Sequence, residues 1–96
     1  MNKVEKLFID KSVHRYGIYL YSKTVALEFI RECIKQNIPI LGIDGFFISE
    51  NKTQPSMEDS INFSSQVFTV DIYEKAILFI NSRSNNLYFE IVCSDS

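Results

Sequence analysis

Ile38–Ser49, which reads I-P-I-L-G-I-D-G-F-F-I-S, is the stretch that decides the fold. Two apolar runs flank Asp44-Gly45, and an Asp-Gly pair between such runs is the strongest short-range signal for a two-residue hairpin turn. Gly45 accepts the positive φ that the turn requires, and Asp44 tolerates left-handed geometry. The stretch therefore predicts a strand, a tight turn at Asp44-Gly45 and a second strand.

Two amphipathic helices are predicted, one before and one after this stretch. In Ser22–Gln36 the apolar residues repeat at helical spacing, and those expected to face inward are Val25, Ala26, Phe29, Ile30, Cys33 and Ile34. Ser22 is a suitable N-cap, and Asn37 is a suitable left-handed C-cap. The same periodicity predicts a helix over Asp71–Ser82, with Asp71 as its cap.

The two ends of the chain supply further elements. Ser12–Tyr21 is rich in β-branched and aromatic residues, which predicts a strand, and Gly17 within it indicates a bulge or a close backbone approach. Leu87–Cys93 predicts a last strand. Only Glu90 interrupts its apolar run, so this strand is expected to be central in the sheet and largely covered on both faces. Residues 2–9 are compatible with a short helix or with an irregular arm.

The segment after the predicted hairpin changes in character. Residues 50–56 are polar and predict an exposed loop. A short helix is expected to follow, with Ser56 as N-cap and Asp59 in a position close to that of a capping box. Its expected buried contacts are Met57, Ile61 and Phe63.

These elements predict a single α+β domain over residues 1–96. Its architecture is a two-layer sandwich, in which a roughly four-stranded, mostly antiparallel sheet carries two main helices and one short helix on one face. A length of 96 residues fits one hydrophobic core and is too short for two.

Composition excludes several classes of protein. The net charge is −2 and basic residues are scattered, which argues against a nucleic-acid-binding protein. One histidine and two separated cysteines make a structural zinc site improbable, and no motif implies a cofactor. No apolar run approaches the roughly 20 residues of a membrane span, and no secretion signal is visible. A cytoplasmic location is therefore expected.

Chemistry in the sequence is sparse. Any Ser-His or Cys-His catalysis would have to use His14, whose sequence neighbours carry no carboxylate. Asp44 is explained by turn chemistry. Glu58 and Asp59 resemble a pair of catalytic carboxylates, but adjacent helical positions point about 100° apart, and acids at a helix start meet a favourable dipole. These residues do not predict an enzyme.

The remaining signal is an acidic surface with aromatic residues. The first 35 residues carry a net charge of +3 and the rest carry −5. Between positions 44 and 74 the only basic residue is Lys52, and the acidic ones are Asp44, Glu50, Glu58, Asp59, Asp71 and Glu74. The same segment contains Phe46, Phe47, Phe63 and Phe68. Acidic groups around aromatic anchors suit a face that binds a basic protein, although the aromatic residues fit a core equally well.

Three segments carry a resemblance to a known family: A-L-E-F-I at 26–30, I-P-I-L-G-I-D-G-F-F-I-S at 38–49 and N-K-T-Q-P-S-M-E-D-S-I-N-F-S at 51–64. They resemble small bacterial immunity proteins of polymorphic-toxin and contact-dependent inhibition systems, in particular the family called immunity protein forty. The resemblance implies a partner, a cognate toxin domain, which the protein blocks by occlusion, and no catalytic residue. The partner-binding residues expected on this basis are Asp44, Phe46, Glu50, Glu58, Asp59 and Asp71.

Two other functions are compatible with the residues. One is a small enzyme or ligand-binding domain that uses Asp44 with Glu58 and Asp59, with a divalent ion as one form of ligand. The other is a structural subunit that forms a homodimer through an exposed strand edge.

Overall fold

A five-stranded sheet carries the fold in the computed structural model, which describes residues 1–94. In chain order the elements are α1 (Lys3–Phe8), a 3₁₀ turn (Ile9–Lys11), β1 (Val13–Arg15), β2 (Ile18–Ser22), α2 (Lys23–Gln36), β3 (Ile40–Ile48), β4 (Thr53–Asn62), α3 (Asp71–Asn81) and β5 (Tyr88–Cys93). The strand order is β1-β2-β5-β3-β4, and every neighbouring pair is antiparallel. The α+β prediction is confirmed, with five strands where four were expected.

The elements next to α2 follow their sequence signals. The Ser22 side chain accepts a hydrogen bond from the backbone N–H of Val25, and Asn37 closes the helix in the left-handed conformation with φ 57°. Both predicted caps are confirmed. At α3 the prediction was wrong, because the N-cap is Val70 and no side chain caps the helix, whereas Asp71 is the first helical residue.

The predicted turn at Asp44-Gly45 is wrong, because both residues lie inside the nine-residue strand β3. The chain reverses instead at residues 49–52, where the N–H of Ser49 donates to the carbonyl of Lys52 at 2.9 Å. Gly45 has another use: a Cβ atom there would lie 2.8 Å from the Cβ of Asp59 and 2.9 Å from its carbonyl oxygen. The lack of a side chain at Gly45 therefore lets β4 approach β3 closely, and Gly45 does not form a turn.

The predicted loop and short helix after the hairpin are also wrong, because residues 53–62 form the edge strand β4. Gly45 pairs with Ser56 and Asp44 pairs with Ser60, so residues 57–59 have no counterpart on β3 and form a bulge. Met57 is 86% exposed and not buried as expected, whereas Phe63 is buried as expected. The Ser56 hydroxyl donates to Asp59 Oδ2 at 2.6 Å, so the two residues read as a helix cap bind each other within the bulge.

The predicted single strand over Ser12–Tyr21 is a hairpin of two strands, β1 and β2. Arg15 pairs with Ile18, which leaves Tyr16 and Gly17 as a two-residue turn. Their φ values are 51° and 83°, as a hairpin turn with two left-handed residues requires. A tyrosine in that conformation is uncommon, which is why its sequence gives no turn signal.

The three helices described within residues 1–94 lie on one face of the sheet. A continuous core joins Val4 and Phe8 of α1 to buried residues of α2 and α3 and to alternate residues of the strands, including Phe89 and Ile91 of β5. Residues 2–9 are therefore a helix rather than an arm. Within residues 1–94 we found no helix that combines the length and the apolar character needed to cross a membrane.

The opposite face of the sheet is partly covered, although no helix of residues 1–94 packs on it. Leu20 alternates with the core residue Tyr21 and so points away from the helices, yet it is fully buried. Arg15 of the edge strand β1 reaches across to the opposite edge, where its Nη1 donates to Thr53 Oγ1 at 3.3 Å and meets the carbonyl of Lys52 at 3.5 Å. This contact joins the two edges of the sheet and covers one end of this face.

Asn2 joins the two ends of the described chain. It caps α1 in a capping box with Glu5, and its Nδ2 donates to Cys93 Sγ at 3.0 Å and to the carbonyl of Ser94 at 2.9 Å. Its side chain is buried and fully hydrogen-bonded, as a buried amide must be.

Candidate binding face

The face of the sheet opposite the helices carries the candidate site, and we call it the helix-free face. The strand register places its residues in rows, with Asp44 between Ser60 and Glu90, and Phe46 between Pro55 and Tyr88. Strand β5 is central, as predicted, but it is covered on one face only, because Val92 is 41% exposed. The expectation that β5 is covered on both faces is therefore wrong.

Two carboxylates lie side by side on this face. Asp44 of β3 is directly opposite Glu90 of β5, and the Ser60 hydroxyl donates a hydrogen bond to Asp44 Oδ1. Burial, and secondarily the charge of Asp44, raises the pKa of the Glu90 carboxyl. The two ion pairs within residues 1–94 are Lys11–Glu28 and Asp59–Arg83, so neither carboxylate has a basic partner in the described chain.

A cavity of about 240 Å³ opens beside Asp44. Its lining is mixed, with the polar side chains of Asp44, Ser60, Asn62 and Ser64 beside Leu41, Gly42, Ile61 and Val92. Asn62 Oδ1 accepts hydrogen bonds from the backbone N–H and the hydroxyl of Ser64, which fixes the amide at the rim. A lysine or arginine side chain entering this cavity would meet the Asp44 carboxylate with its charged end and apolar side chains along its stem.

Aromatic side chains flank the carboxylates. Phe46 and Tyr88 are directly opposite each other on β3 and β5, and both are half-buried. Pro55 extends the row onto β4, where it is exposed. Aromatic residues are enriched at the centres of protein–protein interfaces.

The structure does not bring all six predicted partner-binding residues together. Asp44 and Phe46 share the helix-free face. Glu50 is exposed in the turn between β3 and β4, and Glu58 is exposed in the β4 bulge. The other two predicted residues, Asp59 and Asp71, lie away from the helix-free face.

Asp59 is already paired inside the protein. Its Oδ1 lies 3.3 Å from Arg83 Nη1, and the same guanidinium stacks over the ring of Phe79 at 5.0 Å. Asp71 starts α3, which packs on the other face of the sheet. The predicted acidic surface is thus divided between two faces and an edge.

The single histidine and the two cysteines lie apart from Asp44 and Glu90. His14 is exposed and stacks on Tyr19 with ring centroids 4.6 Å apart. A hydrogen bond with Cys93, and then burial, raise the pKa of the Cys33 thiol. Across residues 1–94 no three His, Cys, Asp or Glu side chains cluster closely enough to hold a metal ion.

Comparison of the chain with protein-family models gives no match, and comparison with curated proteins gives no significant similarity. The class of protein that the fold defines is a small α+β domain with one helix-covered and one helix-free sheet face.

Sequence reasoning missed three contributors to the helix-free face: Ser60, Tyr88 and Glu90. Glu90 gave a signal, since it is the single carboxylate within an apolar strand. Its pairing with Asp44 depends on β3 and β5 being neighbours, although 46 positions separate the two residues in the chain. No local pattern encodes that register.

Proposed function

We propose that this protein binds and neutralises a basic bacterial toxin domain, and that the helix-free face occludes the active site of that domain. The observation that carries the proposal is the Asp44–Glu90 pair, two carboxylates directly opposite each other on neighbouring strands without a basic partner in the described chain. Like charges in that arrangement destabilise a sheet. A lysine or arginine from a partner would offset the repulsion on binding.

The surroundings of the pair support a protein partner. Phe46 and Tyr88 supply apolar contact area beside the charges, and interface energy concentrates on such aromatic residues. The cavity next to Asp44 offers a recess for the basic side chain. Charged residues around it would also accelerate encounter with a basic cleft, such as that of a nuclease. The resemblance of three sequence segments to bacterial immunity proteins implies that the partner is a toxin domain.

The experiment is co-expression of this chain with the toxin domain encoded beside it, with cell survival and affinity as readouts. Asp44→Asn and Glu90→Gln should each weaken binding by about tenfold, because a close interfacial charge pair contributes on the order of 1.5 kcal/mol or more. Asp71→Asn is the matched control, since it removes one charge from the helix layer and should preserve survival. Failure of the wild-type chain to rescue cells, or equal affinity of all three variants, would refute the proposal.

The cavity beside Asp44 supports a second candidate function, binding of a small cationic ligand such as a divalent ion. An ion that binds only the folded state raises the melting temperature. A titration with Mg²⁺, Ca²⁺ and Mn²⁺ should then raise it for the wild type and not for Asp44→Asn. An unchanged melting temperature in all three titrations would eliminate divalent ions as ligands.

A further inference from the structure

The two cysteines of the chain, Cys33 and Cys93, meet between α2 and the central strand β5. Cys33 is fully buried, whereas its neighbour Ile34, which was expected to be buried as well, is 41% exposed. Cys93 follows the core residues Phe89 and Ile91 at every second position of β5, so its side chain points towards the helix layer and packs against the core. The fold thus brings together two thiols that are 60 positions apart in the chain.

The contact between the two thiols has a direction. The hydrogen bond with Cys93 raises the pKa of the Cys33 thiol, which means that Cys33 keeps its proton and donates it to the Cys93 sulfur. Asn2 Nδ2 donates to the same sulfur at 3.0 Å. The buried Asn2 amide is itself held in place, because its Oδ1 accepts from the backbone N–H of Glu5 at 2.9 Å. Hydrogen bonds from Cys33 and Asn2 therefore favour the thiolate form of Cys93.

The two cysteines also differ in exposure. Cys93 is half-buried, so a small oxidant can reach its sulfur, whereas Cys33 is enclosed by the core. Redox-sensitive cysteines combine thiolate character and solvent access with a second cysteine close by. Cys93 has the properties of the first residue to be oxidised, and Cys33 is placed to react with it.

We propose that Cys33 and Cys93 are a modification site, at which hydrogen peroxide converts the two thiols into a reversible disulfide. The Cys93 thiolate sulfur attacks one peroxide oxygen and the O–O bond breaks. The departing hydroxide takes up the proton that Cys93 released, which leaves water and a Cys93 sulfenic acid. The Cys33 sulfur then attacks the sulfenic sulfur, the S–O bond breaks and the S–S bond forms. The second hydroxide leaves as water with the Cys33 proton.

The balance of the reaction is two thiols and one hydrogen peroxide to one disulfide and two waters. The thiols lose two electrons and the peroxide gains them. A small dithiol such as dithiothreitol reverses the step by thiol–disulfide exchange. The bond lies between the helix layer and the sheet, away from Asp44 and Glu90, so this inference is independent of the proposed function.

The disulfide would tie α2 to the last strand and close a loop of about 60 residues. Closing a loop of this length restricts the unfolded chain far more than the folded one. Oxidation should therefore raise the melting temperature by about 10 °C.

The test is to treat the purified chain with hydrogen peroxide and to follow thiol content, cross-linked peptides and melting temperature. Both thiols should disappear together, a peptide pair joined through Cys33 and Cys93 should form, and the melting temperature should rise. Dithiothreitol should restore both thiols. A wild-type chain that keeps its thiols would overturn the proposal. So would cross-links between chains, or a Cys93 sulfinic acid without a link to Cys33.

Single variants test the order of the steps. Cys33→Ser should accumulate a Cys93 sulfenic acid that dimedone traps, whereas Cys93→Ser, which keeps only the buried thiol, should resist peroxide. Equal reactivity of the two variants would contradict the assigned roles. The wild-type cross-link is measured without these variants, so it tests the proposal even if one of them folds poorly.

Asn2→Ser tests the hydrogen bond to Cys93. Serine retains an oxygen that can cap α1 but lacks the amide donor, so disulfide formation should slow about tenfold, as expected for the loss of a hydrogen bond to a charged group. Asn51→Ser is the matched control, because Asn51 is exposed in the turn between β3 and β4 and its change should leave the rate unaltered. A wild-type rate in a folded Asn2→Ser chain would show that Asn2 does not activate Cys93.

Discussion

Replacing Glu90 by glutamine should stabilise the protein while weakening its proposed binding. Glu90 is half-buried and directly opposite Asp44, and both burial and that neighbouring charge raise its pKa above the usual value of 4.5. The folded state thus holds this proton more tightly than the unfolded chain does. Ionisation of Glu90 therefore costs stability, and a neutral amide of nearly the same shape removes that cost.

The size of the effect follows from the strand register. A pair of like charges directly opposite each other on adjacent strands costs roughly 0.2–1 kcal/mol, and the partial burial of Glu90 places it towards the upper end. For a domain of this length, 1 kcal/mol corresponds to about 4–8 °C in melting temperature. We expect Glu90→Gln to raise the melting temperature by about 2–6 °C at pH 7.

The stability gain of Glu90→Gln should depend on pH, because the pKa of Glu90 is higher in the folded state than in the unfolded chain. A raised pKa in the folded state means that the penalty is absent below the usual pKa of glutamate and develops as the pH rises through it. The stability gain of Glu90→Gln should therefore be largest near neutral pH and disappear by about pH 4. Urea denaturation of both proteins at several pH values measures it.

The control is Glu50→Gln, which removes one charge from an exposed turn and should change stability by less than about 0.5 kcal/mol. The reasoning is refuted if Glu90→Gln is no more stable than the wild type at pH 7. A gain that persists unchanged at acid pH would also refute it, because repulsion between carboxylates would then not be its source.

Three further predictions concern stability and are measured by urea denaturation. Gly45→Ala should cost about 1–3 kcal/mol, because its Cβ would overlap Asp59, and a cost below about 0.5 kcal/mol would contradict the close approach. Asn2→Ala should cost about 1–2 kcal/mol through loss of the α1 cap, and Asn2→Asp, which keeps the capping oxygen but loses the Nδ2 donor to Cys93 and Ser94, should also destabilise the protein. A double-mutant cycle on Asp59 and Arg83 should give a coupling of about 0.5–1 kcal/mol, and additive effects would show that the ion pair contributes nothing.

Local signals that depend on a single element were reliable in this sequence. The helix α2 could be predicted from end to end because its apolar period, its serine N-cap and its asparagine C-cap all act within the helix itself. The same holds for the placement of α3, for which periodicity sufficed even though the residue expected to cap it does not.

Signals with more than one physical meaning failed. Asp-Gly favours hairpin turns, but the missing side chain of Gly45 instead gives room to the β4 bulge. Ser56 and Asp59 match the spacing of a helix cap, but their side chains form that hydrogen bond within a strand. The turn at Tyr16-Gly17 was not predicted, because tyrosine rarely adopts the positive φ that it has there.

The candidate site was half accessible to sequence reasoning. Asp44 and Phe46 were identified because they lie in a distinctive segment, whereas their partners Tyr88 and Glu90 come from the far end of the chain. Which residues lie opposite them is decided by the insertion of β5 between β2 and β3. That insertion is a property of the whole sheet, and a linear pattern does not contain it.

The contact between Asn2 and Ser94 makes this chain suitable for circular permutation. One side chain hydrogen-bonds both to the capped start of α1 and to the carbonyl of Ser94, so positions 2 and 94 are in direct contact. A short glycine-rich linker would therefore join positions 2 and 94. A circular permutant opened at the exposed Tyr16-Gly17 turn would lose the covalent connection between β1 and β2 but keep all strand pairings. Such a permutant would present the two carboxylates on an unchanged sheet with new ends at the opposite pole of the molecule.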